Sequence, residues 1–193
     1  TIGYYTVNGI LFYYDEYTDQ TTLVRCPTKK TIREYTVPDN VTTLGASAFQ
    51  GNVSLKTITM PDGLISIDNR AFNGCTGLTT LSIPDTVTSI GEYAFEYCTS
   101  LTYAYLGKAL NSIGFRGFRY CSNISTITVP DALTSVYDSF ENTNIKKVIL
   151  PATATYFNGT IRDLASISIF ESENTGTIGY YTVNGILFYY DEY

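Results

Sequence analysis

A repeat solenoid of 23-residue coils, joined to a small antiparallel β-meander, is the fold this sequence predicts, and three observations predict it. Phenylalanines recur at one constant spacing, at Phe49, Phe72, Phe95 and Phe118. Leu44, Ile67, Ile90, Ile113 and Val136 keep the same period, as do Cys75, Cys98 and Cys121. Prolines fall at Pro38, Pro61, Pro84 and Pro130, with Gly107 at the one missed step. Self-similarity at a period of this length marks supersecondary units that bury their apolar edges by stacking.

Residues 1–35 lack the period and read as strands. Tyr4 to Val7 and Ile10 to Tyr14 flank Asn8-Gly9, the pair that most readily adopts the two positive φ angles of a tight hairpin turn. Asp15 to Gln20 is a polar turn, and Thr21 to Cys26 a further short strand ending at Pro27. This segment is a β-meander and a candidate cap.

Residues 36–151 carry the repeat in five coils, starting near Thr36, Thr59, Ser82, Tyr105 and Thr128. In Leu78 to Leu101 the spacing of Leu78, Leu81 and Ile83 places Leu81 and Ile83 on one face of a short strand and Thr80 and Ser82 on the other. Pro84-Asp85 stops the strand. Val87 and Ile90 then point inward, Gly91 permits a bend, and Ala94, Phe95 and Cys98 share one side of a predicted short helical turn. The fifth coil is irregular, since Pro151 follows Pro130 sooner than the period requires and Phe140 also comes early. Residues 152–176 form an irregular linker in which only Ser166 to Phe170 alternates like a strand.

Thr177 to Tyr193 repeats Thr1 to Tyr17 without a mismatch. A larger module period, the offset from Thr1 to Thr177, therefore lies over the small one, and residues 177–193 start a second copy of the meander. The chain opens on Thr1 with no signal-like segment and reads as an excised or processed piece of a tandem array.

Composition narrows the function. Net charge is −6 and the basic residues are dispersed, so binding to a phosphate backbone has no electrostatic basis and nucleic acid is not an expected partner. The longest apolar run, about Ile10 to Tyr14, is far short of the roughly 20 residues a spanning helix needs. Histidine, the commonest general base near neutral pH, is absent. Asp15-Glu16 and Asp191-Glu192, the adjacent acidic pairs, sit in a polar turn where nothing desolvates them. No phosphate loop, zinc spacing or nucleophile elbow occurs, so no catalytic, cofactor or metal site is expected.

The units TMPDGLISIDNRAFNGCTGLTTL (Thr59 to Leu81) and SIPDTVTSIGEYAFEYCTSLTYA (Ser82 to Ala104) follow strand, Pro-Asp, Val-Thr-Ser-Ile-Gly, Ala-Phe, Cys and Leu landmarks. With them the chain resembles the BspA-like leucine-rich repeat family of bacterial and protist surface proteins. Asn8 to Pro27 is similar to a hairpin that often interrupts or precedes repeats in that family. The resemblance implies a right-handed leucine-rich repeat solenoid with parallel strands and a non-enzymatic role at the cell surface or outside the cell, in adhesion to protein or glycan. Leu106-Gly107-Lys108 in place of a Pro-Asp corner, Gly117 before Phe118, and the short fifth unit depart from the pattern.

The outward strand face is the candidate binding surface. Its rows are Glu34 and Thr36, Thr57 and Thr59, Thr80 and Ser82, Tyr103 and Tyr105, Thr126 and Thr128, then Lys147 and Ile149. Tyr103 and Tyr105 interrupt a run of bland β-formers with rings that contact a partner at small cost in rotamer entropy. The alternative reading is a filament or stalk in which modules stack end to end, with self-association in place of a ligand. The cysteine row reads as small core side chains, because a straight row of thiols does not converge on a metal. Cys26, in the meander, has no candidate base near it in sequence. On the turn side the period stacks Glu96 on Arg119, Arg70 with Tyr93 and Arg116, and Tyr97 on Tyr120. Asn40, Asn52, Asn123 and Asn158 head N-glycosylation sequons.

Overall fold

The computed structural model describes residues 3–28, 31–133, 135–137, 139–150, 159–160, 169–172, 178–183 and 186–191. Three antiparallel strands open the chain: β1 (Gly3–Val7), β2 (Ile10–Asp15) and β3 (Gln20–Arg25). Asn8 and Gly9, with φ of 49° and 76°, make the turn between β1 and β2, as their residue types require.

Each coil then supplies two strands in alternation: β4 (Glu34–Thr36), β5 (Thr43–Leu44), β6 (Thr57–Thr59), β7 (Ser66–Ile67), β8 (Thr80–Ser82), β9 (Ser89–Ile90), β10 (Tyr103–Tyr105), β11 (Ser112–Ile113), β12 (Thr126–Thr128), β13 (Ser135–Tyr137), β14 (Lys147–Leu150), β15 (Gly159–Thr160) and β16 (Ile169–Ser172). The second hairpin is β17 (Ile178–Val183) and β18 (Ile186–Asp191). Of the linker strand predicted over Ser166 to Phe170, Ile169 and Phe170 lie in β16, which runs on to Ser172; residues 166–168 lie outside those described.

The odd-numbered strands of the coils form one continuous rear sheet, and the meander belongs to it. Nine strands run in the order β1-β2-β3-β5-β7-β9-β11-β13-β15, with β3 parallel to β5 through Thr22–Thr43 and Leu23–Leu44. The even-numbered strands form a front row split into β4-β6, β8-β10 and β12-β14-β16. Pro-Asp corners join front to rear: the amides of Val41, Leu64, Val87 and Leu133 donate to the carbonyls of Pro38, Pro61, Pro84 and Pro130, and Leu110 donates to Gly107 in the fourth coil.

The third side of each coil departs from expectation. The segment predicted as a helical turn is a string of tight turns, and the described residues contain no helix. Alternate amides explain it. Ser47, Phe49 and Gly51 donate to the carbonyls of Asn69, Ala71 and Asn73 in the next coil, and Arg70, Phe72 and Gly74 donate to Glu92, Ala94 and Glu96. Amides aimed along the solenoid axis cannot also point along a helix axis of their own. Two corners per coil are left-handed to allow this, at Ser47, Arg70, Tyr93 and Arg116 (φ 56–59°) and at Gly51, Gly74, Tyr97 and Tyr120 (φ 59–73°). The non-glycine cases cost about 1–2 kcal/mol each, which the packing below must offset. Gly91 serves close approach: a Cβ there would lie 2.5 Å from the backbone nitrogen of Asn69.

The core is a set of stacked columns. Phe49, Phe72, Phe95, Phe118 and Phe140 stack along the axis with ring centroids 4.9–5.4 Å apart, and Tyr35 closes the stack at 5.6 Å from Phe49. The cysteine column is more than filler. Cys75, Cys98 and Cys121 are fully buried thiols whose Sγ donate to the carbonyls of Phe49, Phe72 and Phe95 at 3.1–3.3 Å. Asn52 stands one period earlier, and its Nδ2 donates to the carbonyl of Cys26 at the same 26-residue offset. The column therefore selects a small buried donor, and burial pushes the Cys75 thiol from 9 up to about 12.

The Phe72 carbonyl accepts from the Cys75 amide as well as from Cys98, so Cys98→Val removes one of its two hydrogen bonds where Cys98→Ser keeps both; urea melts are expected to find the valine variant less stable than the serine variant by about 0.5–1.5 kcal/mol. A thiol that stays protonated in the folded state but ionises in the unfolded one loses stability as pH rises. Between pH 9 and 12 the wild-type stability slope is therefore expected to be steeper than that of Cys75→Ser by about 1.4 kcal/mol per pH unit.

Candidate binding surface

The front strands have an outward–inward–outward pattern set by the two-residue period. Thr57 and Thr59 flank buried Ile58, Thr80 and Ser82 flank Leu81, Tyr103 and Tyr105 flank Ala104, and Thr126 and Thr128 flank Ile127. All eight residues lie on the outer side. Register aligns Thr80 with Tyr103 and Ser82 with Tyr105 across β8 and β10.

The face is not one sheet. β8 and β10 pair, but β6 does not pair with β8 nor β10 with β12, so the tyrosine row borders a seam. The residues at the missed proline step reinforce the β8–β10 joint. At Gly107 a Cβ would sit 2.1 Å from the Pro84 carbonyl oxygen, so the lack of a side chain lets the fourth coil close onto the third. Lys108 stands one period after Asp85 and reinforces the closure: its amide donates to Asp85 Oδ1 at 3.1 Å and its Nζ lies 3.4 Å from Oδ2. Tyr105 donates its hydroxyl to the same Oδ1 at 2.7 Å. The fourth coil is thus tied to the third.

A depression of about 430 Å³ occupies the seam on the fifth-coil side, lined by Tyr103, Tyr105, Leu106, Lys108, Val129 and Asp131 among others. Tyr103 is 57% exposed on its rim, whereas Tyr105 is half-buried and held by Asp85. The two tyrosines therefore differ: one is available for contact, the other fixes the wall. The hydrogen bond from Tyr105 and the amide of Lys108 hold the Asp85 carboxyl below the usual range, and the same carboxylate raises the Tyr105 phenol.

The turn side is a structural network. Arg119 lies 3.3 Å from Glu96 and 2.8 Å from Glu141, and Arg116 lies 2.9 Å from Glu141. The two guanidinium Nε atoms reach Glu141 in ion-pair range but off the hydrogen-bond angle. Asn73 donates to the other oxygen of Glu96, which is buried. Tyr97 and Tyr120 stack at 4.8 Å, and Arg70 lies 4.8 Å over Tyr93, as the period implies. Arg116, expected with Tyr93, lies instead over Phe115 at 4.6 Å. Of the sequons, Asn52 is buried with its amide engaged, Asn123 donates to Thr99, Asn40 is exposed and donates to Thr21, and Asn158 lies outside the described residues. Among the described residues, no cluster of three or more His, Cys, Asp or Glu side chains could hold a metal ion. No helix among them is long and apolar enough to cross a membrane.

Residues 42–161 match the BspA type leucine rich repeat region in six copies, where the period reading counts five coils. The chain belongs to the BspA-type leucine-rich repeat family. Among solved structures it is similar to the T. pallidum leucine-rich repeat protein, with a TM-score of 0.77, 20% identity, and coverage of 88% of this chain and 83% of that one. It is also similar to a leucine-rich repeat protein from Eubacterium ventriosum, with a TM-score of 0.58 and 25% identity over 90% of this chain and 51% of that one. The pneumococcal vaccine antigen PcpA aligns with a TM-score of 0.59 and 16% identity over 96% of this chain and 53% of that one. The chain spans about half the length of these last two. No curated protein matches it.

Removing the phenol should release the carboxylate it holds. Tyr105→Phe is expected to move the Asp85 pKa back up toward the ordinary carboxyl value, read by NMR titration of the side-chain carboxyl. An unmoved Asp85 would show that Lys108 alone sets its acidity.

Proposed function

We propose that this protein is a non-enzymatic, extracellular or cell-surface repeat protein that binds protein or glycan through its outward strand face. Binding is centred on Tyr103 at the seam between the fourth and fifth coils. The exposed Tyr103 ring beside the depression carries this reading. A rigid aromatic contributes contact area with only two side-chain torsions to fix, and Lys108 and Asp131 supply opposite charges on the same rim. The threonine and serine rows Thr57, Thr59, Thr80, Ser82, Thr126 and Thr128 flank that centre as short polar contacts.

Membership of a leucine-rich repeat family, in which repeats build a surface and carry no catalytic constellation to transfer, supports a binding role over an enzymatic one. Similarity to a pneumococcal protein named as a vaccine antigen supports placement outside the cell.

The test is a binding screen against a printed glycan array and immobilised extracellular-matrix proteins. Tyr103→Ala is expected to lower retention on the positive spots about tenfold or more, while Thr57→Ala, remote from the seam, changes it little. Retention equal in wild type and Tyr103→Ala would remove the seam from the binding surface.

A further inference from the structure

The depression at the seam has a neighbour. A second hollow of about 400 Å³ lies on the third-coil side of Tyr105, lined by Asp62, Ser82, Pro84, Asp85 and Thr86 as well as by Tyr105 itself. Tyr105 is the one residue common to this lining and to that of the 430 Å³ depression beside Tyr103. The two hollows therefore follow one another in coil order along the front face, with Tyr105 as the divider between them. Both volumes fall in the range of roughly 300–1,000 Å³ that small-molecule sites occupy. A concave pair of that size suits a ligand built of successive small units better than a flat protein face.

The divider is fixed before any ligand arrives. Tyr105 donates its hydroxyl to Asp85, and Lys108 holds the same carboxylate with its amide and its Nζ. A wall so held costs little further ordering on binding. The groups around the two hollows are of mixed sense: the Asp62 and Asp131 carboxylates accept hydrogen bonds, the Lys108 ammonium donates, and the Ser82 hydroxyl does both. A ligand hydroxyl can pair with every one of them, since it too donates and accepts. A pyranose combines such hydroxyls round its edge with a C–H face that packs on an aromatic ring, and Tyr103 offers that ring on the rim. Three carboxylates, Asp62, Asp85 and Asp131, against the one Lys108 ammonium repel sialic, uronic and sulfated sugars. A basic peptide gains little in their place, because Asp85 is already matched by Lys108, and Asp62 and Asp131 are exposed to water.

We propose that the two hollows are adjacent subsites for a neutral oligosaccharide, with one hexopyranose on the Tyr103 ring at the seam and the next across Tyr105, hydrogen-bonded to Asp62 and Ser82. This rests on the reading of Tyr103 as the centre of binding, and adds to it the class of ligand, its charge and its minimum length. The sugar chain runs along the solenoid axis, because the hollows succeed one another in coil order. Once the first residue is seated, the second binds at the high effective concentration of a linked unit.

NMR titration of the full chain with mono-, di- and trisaccharides of glucose, galactose, mannose and N-acetylglucosamine tests it. At least one series is expected to bind, with saturation transfer strongest to the C–H protons of one pyranose face and affinity rising about tenfold from mono- to disaccharide. Tyr103→Phe keeps this binding and Tyr103→Ala abolishes it. Asp62→Ala combined with Ser82→Ala, checked for an unchanged melting transition, keeps the monosaccharide but loses the gain from the second residue. Added salt leaves the affinity unchanged, and sialyllactose does not bind. The proposal is overturned if no neutral sugar binds, or if a disaccharide binds no more tightly than its monosaccharide. Binding that falls with salt, or that favours sialyllactose, marks a charged ligand and overturns it equally. Immobilised matrix proteins retained through Tyr103 while no sugar binds would leave Tyr103 as the centre of a protein-binding surface and reject the oligosaccharide. Sugar and protein retention both indifferent to Tyr103→Ala would reject the two readings together.

Discussion

Every side of this molecule depends on one requirement: the backbone of each coil is satisfied by the coil above or below it. Strands meet this need in the usual way, by pairing in parallel. The third side meets it with turns whose alternate amides donate to the next coil, so that it too becomes a ladder. This demand outranks the local preferences of the residues involved. Tyrosine and arginine occupy left-handed corners that suit glycine because their own amides point along the axis while the amides that follow turn back into the same coil, and their side chains recover part of the cost by stacking and ion pairing on the next coil.

Alignment of equivalent positions one period apart also explains why the core is columnar. When equivalent atoms lie directly above one another, a favourable contact between two copies is repeated at every step, and so is an unfavourable one. Phenylalanine stacks on phenylalanine, and a thiol or amide reaches the carbonyl of the coil behind. A single change in a column is felt by two neighbours, which makes substitutions within it non-additive. The fourth coil illustrates the same logic on the surface: Gly107 and Lys108 stand where proline and aspartate are usual, and the departure ties that coil to the third through Asp85.

Much of this was legible in the sequence because the period identifies the inward residues without any knowledge of the turn geometry. The proline corners, the phenylalanine stack, the Asn8-Gly9 hairpin and the outward Thr and Tyr rows follow from spacing and alternation alone. The turn side was not legible, since a burial pattern of Ala94, Phe95 and Cys98 suits a helical turn as well as a string of left-handed corners, and the destination of the amides decides between them. The Asp85–Lys108 tie was available as a pair of opposite charges one period apart, by the reasoning that gave Glu96 and Arg119. The breaks in the front row could not be read, because the period places β6 beside β8 and β10 beside β12 as evenly as the strands that do pair.

The direction of the ladders has a mechanical consequence. The inter-coil hydrogen bonds on all three sides run along the solenoid axis, so tension between the ends loads each bond along its own length and the coils act as links in series. Such an arrangement gives way one coil at a time at the weakest joint, unlike a sheet sheared across many strands at once. Each released coil of 23 residues lengthens the chain by about 70–80 Å. The seams in the front row mark where that extension begins, which makes the molecule a spring whose compliance is set by which coils share a complete ladder.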